Sequence, residues 1–179
     1  MALSERLGRG TAKEQYAYIY RDDKLSVLDE QAFPDVEDLF MRPPYIVHFS
    51  SPTTRDLSSF VAICSHTQPS GAANETHALA TVYDYAQNHY KNPNAIIMGD
   101  FNAGCSNVRV GDWNWIALWT REEFTWLIGH HIDTTTYVSS CPYDRFVIAG
   151  SKMESAVIPG SPKAFDFQEE YSLTDDQTL

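Results

Sequence analysis

The sequence predicts an α+β domain of sheets packed on each other with helices outside. Three observations carry this. Short apolar runs of strand length recur along the chain. Only residues 74–90 keep a long helical stripe. No internal repeat, low-complexity tract or linker divides the 179 residues, a length suited to one domain with a sizeable core.

The elements follow in order. Residues 1–13 are polar and punctuated by Gly8 and Gly10, so they read as a loop. Tyr16–Tyr20 is aromatic and alternating, which is strand-like. Arg21–Lys24 then turns, and Leu25–Leu28 returns as a second strand, giving an expected hairpin. Residues 33–44 form a proline-containing acidic loop. Tyr45–Phe49 and Phe60–Cys64 are strands, separated by a turn at Ser51–Thr54. In the helix, Leu79, Val82, Tyr83, Ala86 and Tyr90 make one stripe. Ile96–Met98 is a buried strand broken at Gly99. A short helix is expected at Glu122–Leu127, a strand at Tyr143–Ala149, and a last strand at Ala156–Ile158.

Composition narrows the function. Hydrophobic residues make up 43% and charged residues 21%, as in a globular chain. The net charge of −11 argues against nucleic-acid binding through a broad basic surface. It leaves room for a nucleic-acid enzyme whose positive charge comes from divalent cations. No apolar run reaches membrane-spanning length, and Met1–Arg6 shows no signal-peptide core. Cys64, Cys105 and Cys141 lack zinc-ligand spacing. Their number leaves open one disulfide with a free thiol or a fully reduced chain.

Polar residues cluster at predicted strand ends. His66 follows Phe60–Cys64, Asp100 and Asn102 follow Ile96–Met98, Asp144 precedes Phe146–Ile148, and Glu14 precedes Tyr16–Tyr20. In an extended segment Asp100 and Asn102 project the same way. A histidine can protonate a leaving oxygen, a carboxylate can orient it, and further carboxylates can hold a cation, which is the equipment of phosphodiester hydrolysis. The ordinary alternatives are a structural histidine and a turn-forming Asp-x-Asn.

Met98-Gly99-Asp100-Phe101-Asn102-Ala103 resembles the Gly-Asp-Phe-Asn signature of the endonuclease/exonuclease/phosphatase superfamily. Leu7-Gly8-Arg9, Lys13-Glu14-x-Tyr16, His66-x-x-Pro69-Ser70, Phe124-x-Trp126-Leu127-Ile128 and Cys141-x-Tyr143-Asp144-Arg145 resemble, in order, the deoxyribonuclease I family. The resemblance covers almost the whole chain. It implies a four-layer α/β/β/α sandwich, here with the first strands and the last strand missing, as one partial domain over 1–179. It also implies a DNA endonuclease dependent on Mg2+ and Ca2+.

In that frame His66 is similar to a general acid, and Glu14 to the carboxylate that orients it. Asp100 and Asn102 are similar to ligands of the scissile phosphate or cation, and Asp144 to the partner of a second histidine. Arg9 and Arg42 fall where the family contacts DNA phosphates. Asp133, Thr135, Tyr137 and Ser139 fall at a structural calcium site. A second calcium loop near Asp38 and Phe40 is expected to be weak or missing, because Pro43 stands where a carboxylate is expected.

The resemblance also implies a Cys105–Cys141 disulfide and a secreted or luminal setting, with Cys64 an unpaired core thiol. The sequon Asn74-Glu75-Thr76 agrees with that setting. Ala12 stands where the family has a groove-packing aromatic. Some relatives bind actin, but Leu3 and Ser4 alone carry no such inference. The family's leading metal-binding glutamate and closing Ser-Asp-His are not found here, so a partial sequence with impaired turnover is expected.

Overall fold

A computed structural model describes residues 1–136 and 140–178. Its main feature is a mixed six-stranded sheet. Strands β3 (Ser26–Ala32), β4 (Tyr45–Ser50) and β5 (Ser59–Cys64) form an antiparallel meander. Helix α1 (Ala72–Tyr90) then crosses over, and β6 (Ala95–Asp100) pairs parallel to β5. Short helix α2 (Ala117–Thr120) precedes β7 (Phe124–Trp126), and β8 (Asp144–Ala149) inserts antiparallel between β6 and β7. A separate two-stranded sheet pairs β1 (Ala2–Leu3) with β2 (Ala17–Tyr18).

Period-two alternation gives the large sheet two apolar faces. Ile46, Val61, Ile63, Ile97 and Val147 pack beneath Leu79, Val82, Tyr83 and Ala86 of α1. The opposite face presents Tyr45, Val47, Phe49 and Ala62 to Ala2, Tyr16 and Tyr18 of the small sheet. Of the expected four-layer sandwich, α1, the six-stranded sheet and a small second sheet are therefore in place.

Three local expectations are corrected. Tyr16–Tyr20 makes no hairpin with Leu25–Leu28. Tyr16 and Tyr18 bury their rings on the face of β4, 5.8 Å from Tyr45 and Phe49 in the case of Tyr18, whereas β3 is an edge strand of the other sheet. Glu122–Leu127 is not a helix. Phe124 and Trp126 stand two apart and both enter the α1 core, as alternate strand residues do, and the helix lies one step earlier around fully buried Leu118. Ala156–Ile158 is no strand: Ala156 ends helix α3 (Ser151–Ala156), and Ile158 is exposed. Both edges of neighbouring β8 are already taken by β6 and β7.

Candidate active site

The parallel pair β5–β6 sets the site. Both strands end at the same rim of the sheet, so the chain leaving β5 and the chain leaving β6 run side by side. Ser65 N–H donates to Met98 O (3.0 Å), and Thr67 N–H donates to Asp100 O (3.0 Å). This ladder extends past the regular strands and fixes His66, between them, opposite Gly99–Asp100. The approach requires glycine. Residue 99 has φ 132°, and a Cβ there would lie 2.1 Å from Ser65 O.

His66 is held on several sides. Its Nδ1 lies 2.7 Å from Glu14 Oε2, and its N–H donates to Tyr16 Oη (3.1 Å). Its Nε2 stands 3.7 Å from Asp100 Oδ2. Burial pushes the Tyr16 phenol up to about 12, so it remains a neutral acceptor here. Glu14 arrives from the loop before β2 through the Leu7–Glu14 bridge. The expected His66–Glu14 and His66–Asp100 juxtapositions are thus present.

Asp100 and Asn102 form a compact turn. Asn102 N–H donates to Asp100 Oδ1 (2.7 Å), and Asn102 Nδ2 donates to Thr67 O (3.0 Å). Asn102 has φ 47°, a conformation asparagine tolerates better than most residues. With its nitrogen turned to Thr67, its Oδ1 is the atom left to face a ligand. Asp144 lies directly across from Asp100 in the β6–β8 register. Partial desolvation, then the Asp100 charge, hold its carboxyl above the usual carboxylate range. Thr134 Oγ1 accepts from Asp144 N–H and Tyr143 N–H, at 2.9 Å each, and so pins the start of β8.

The two arginines expected at DNA phosphates are placed differently from each other. Arg42 is a framework group as placed. Its Nη1 donates to Glu14 Oε1 (2.8 Å), its Nε to His66 O (3.0 Å) and its Nη2 to Thr67 O (3.3 Å). Its side chain is only 13% exposed. Arg9 is exposed, with its Nε donating to Asp38 Oδ1 (2.9 Å). Such a surface pair is worth about 0–1 kcal/mol, so a phosphate could displace it.

Residues that sequence reasoning passes over also support the site. Thr67 is fully buried, and its Oγ1 donates to Phe101 O (2.6 Å). Arg145 is buried beneath the site, with Nη1 donating to Ile128 O (2.9 Å) and Nη2 to Ala103 O (2.7 Å). Desolvation lowers its guanidinium to about 10. The signal for Arg145 was an arginine inside an otherwise apolar strand; the signal for Thr67 was only its place beside His66.

Metal fit divides by location. Asp100, Asp144 and the Asn102 Oδ1 offer hard oxygen donors, and a cation would relieve the repulsion between the two carboxylates. Among the described residues no group of three or more His, Cys, Asp or Glu is set to hold a metal. Asp133 instead braces its own loop: Oδ1 accepts from Thr135 N–H (3.0 Å), Thr135 Oγ1 (2.9 Å) and Cys141 N–H (3.1 Å). These bonds, the Thr135 amide first, hold its carboxyl below the usual range. Tyr137 and Ser139 lie outside the described residues. The disulfide Cys105–Cys141 is formed, with Cα atoms 5.8 Å apart, and Cys64 is free. Burial pushes the Cys64 thiol up to about 11.

No protein-family model matches the chain. Human deoxyribonuclease gamma is 43% identical, with 99% of this chain and 59% of that protein aligned. Bovine deoxyribonuclease-1 is 41% identical over 99% and 64%. Sheep deoxyribonuclease-1 is 40% identical over 99% and 70%. The chain spans about three fifths of the length of the first of these relatives. Among solved structures, a functionally unknown conserved protein from Enterococcus faecalis superposes with TM-score 0.58 at 17% identity, covering 83% of this chain and 64% of that one. D. rerio TDP2 humanized by mutation gives 0.52 at 14%, covering 73% and 54%. These superpositions speak to the fold alone. No helix among the described residues is long and apolar enough to cross a membrane.

Proposed function

The chain belongs to the deoxyribonuclease I family, and from that premise we propose that it carries one half of a metal-assisted site for hydrolysing DNA phosphodiester bonds. The observation that supports this best is the Glu14–His66 pair aimed at Asp100. With Nδ1 donating to Glu14, the imidazole keeps Nε2 toward the rim where Asp100 and Asn102 stand. A carboxylate so placed fixes the orientation of the ring, and Nε2–H is then the proton offered to a leaving oxygen.

Asp100, Asn102 and Asp144 would hold Mg2+, which supplies charge neutralisation to the phosphate when bound. Calcium at Asp133 would have to use Oδ2 and backbone carbonyls, because Oδ1 is already engaged. Arg9 is an exposed cation available to a neighbouring DNA phosphate, a role suited to a guanidinium fork. Arg42 aligns Glu14 and the His66 backbone as a positioning residue. The Cys105–Cys141 bridge supports a secreted or luminal setting.

Asp144 bonds to Thr134 and to no histidine among the described residues. Without a histidine on Asp144 to take up a proton, we infer slow turnover by the 179 residues taken alone. The same observation favours a second reading, a catalytically inactive member that binds DNA or protein.

Nicking of supercoiled plasmid with Mg2+ and Ca2+ separates the two. The endonuclease reading expects slow nicking that His66→Ala or Glu14→Gln lowers by about 10²–10⁴-fold. DNA binding without any nicking supports the second reading. Nicking unaffected by His66→Ala would sink the proposed site.

A further inference from the structure

The helix that carries the core stripe also carries Asn74-Glu75-Thr76, which the nuclease site does not use. Asn74 lies in the first turn of α1 and is exposed, whereas its neighbours Glu75 and Thr76 are buried. Beside it lies a groove of about 560 Å³ between the start of α1 and the 106–115 segment, lined by Ala73, Ser106, Asn107 and Trp115. Trp115 is 41% exposed. The folded protein thus has room for a sugar on Asn74 and an aromatic surface beside it.

Thr76 points the other way. It is fully buried, and its Oγ1 has no hydrogen-bond partner. A buried hydroxyl without a partner is costly, and helix packing gives no reason for threonine there over valine or alanine. The sequon gives one, because the transferring enzyme requires Ser or Thr at that position. Once α1 packs, that hydroxyl is out of reach.

We propose that Asn74 is an N-glycosylation site modified before α1 folds. An oligosaccharide passes from a lipid-linked pyrophosphate donor to the Asn74 side chain. The new bond joins the anomeric carbon to Nδ2, the bond from that carbon to the pyrophosphate oxygen breaks, Nδ2 loses one proton, and the lipid pyrophosphate leaves. Folding then hides Thr76 and leaves the glycan at the mouth of the Trp115 groove.

The proposal rests on the luminal reading, so its test removes that dependence. The full chain is sent to the endoplasmic reticulum by an appended signal, and the Cys105–Cys141 bridge is assayed in the same material. A band shift reversed by peptide N-glycosidase is expected for the chain and for Thr76→Ser, and is expected to vanish in Asn74→Gln and Thr76→Ala. Because transfer precedes folding, a variant that folds poorly still reports. An unmodified Asn74 in chains with the disulfide formed would overturn the site. Native localisation is a separate measurement: a chain found outside the lumen would overturn the modification in the native setting while leaving Asn74 a competent acceptor. The timing has its own arm: purified oligosaccharyltransferase should modify the reduced, unfolded chain and leave the folded chain unmodified. Equal modification of both would refute the ordering.

Discussion

The covalent tie Cys105–Cys141 is a testable support of the site. Its ends are 36 residues apart in sequence. Closing a loop of that size restricts the unfolded chain by about 4 kcal/mol at 25 °C on the chain-entropy model. That is a large fraction of the roughly 5–15 kcal/mol that holds a domain folded. The effect should also reach the site locally. Thr134 donates its N–H and Oγ1–H to Cys141 O (3.2 Å each) and accepts from Asp144 N–H, so the bridge stands two hydrogen bonds from the Asp144 backbone. The perturbation is Cys105→Ala with Cys141→Ala, which avoids reductant. Urea unfolding should show a loss of about 3–4 kcal/mol, with earlier exchange of the Tyr143 and Asp144 amides. A loss under about 1 kcal/mol with unchanged amide protection would refute the claim that the bridge supports this rim.

Other perturbations probe different parts of the frame. Gly99→Ala drives a Cβ to 2.1 Å from Ser65 O at a left-handed φ, so it should cost about 3 kcal/mol or more in urea unfolding and lower any nicking activity; a neutral effect would contradict the close approach. Arg145→Met orphans the carbonyls of Ile128 and Ala103, and at about 1–3 kcal/mol each the unfolding free energy should fall by about 2–6 kcal/mol. Glu75 is 4% exposed, and burial raises its carboxyl above the normal value, only partly offset by the Met41 and Gln68 amides. Its contribution to stability is complete below about pH 4.3 and is lost as pH rises through the raised folded value. Glu75→Gln should therefore flatten the decline above that pH and raise the urea midpoint at neutrality; an unchanged pH profile would refute this.

Much of the site is legible in the sequence because its residues follow runs that can only be buried strands. Phe60–Cys64 and Ile96–Met98 are apolar on both faces, so His66, Asp100 and Asn102 fall at strand ends; the parallel β5–β6 pairing, which the sequence does not state, then brings those ends to one rim. The partner of Tyr16–Tyr20 was not legible. Alternation says that Tyr16 and Tyr18 share a face, but not that this face covers β4 while Ala2–Leu3 supplies the hydrogen bonds. Phe124 and Trp126 show the competing signal: bulky apolar anchors suit a short helix as well as a strand, and only pairing with the β8 edge opposite β6 decides between them. Arg42 was legible as a cation but not as a brace. A guanidinium serves equally well for a phosphate or for a carboxylate and two carbonyls, and only folding puts the second set within reach.

The placement of Arg42 makes the alignment of His66 depend on segments far apart in the chain. Its guanidinium joins Glu14 from before β2, the Thr67 and His66 carbonyls from after β5, and its own loop before β4. None of these segments can align His66 alone, since Glu14 and His66 are 52 residues apart. A nascent or partly melted chain therefore holds both residues without the Glu14–His66 pair. The pair exists only once synthesis has passed β5 and the segments around Arg42 have packed.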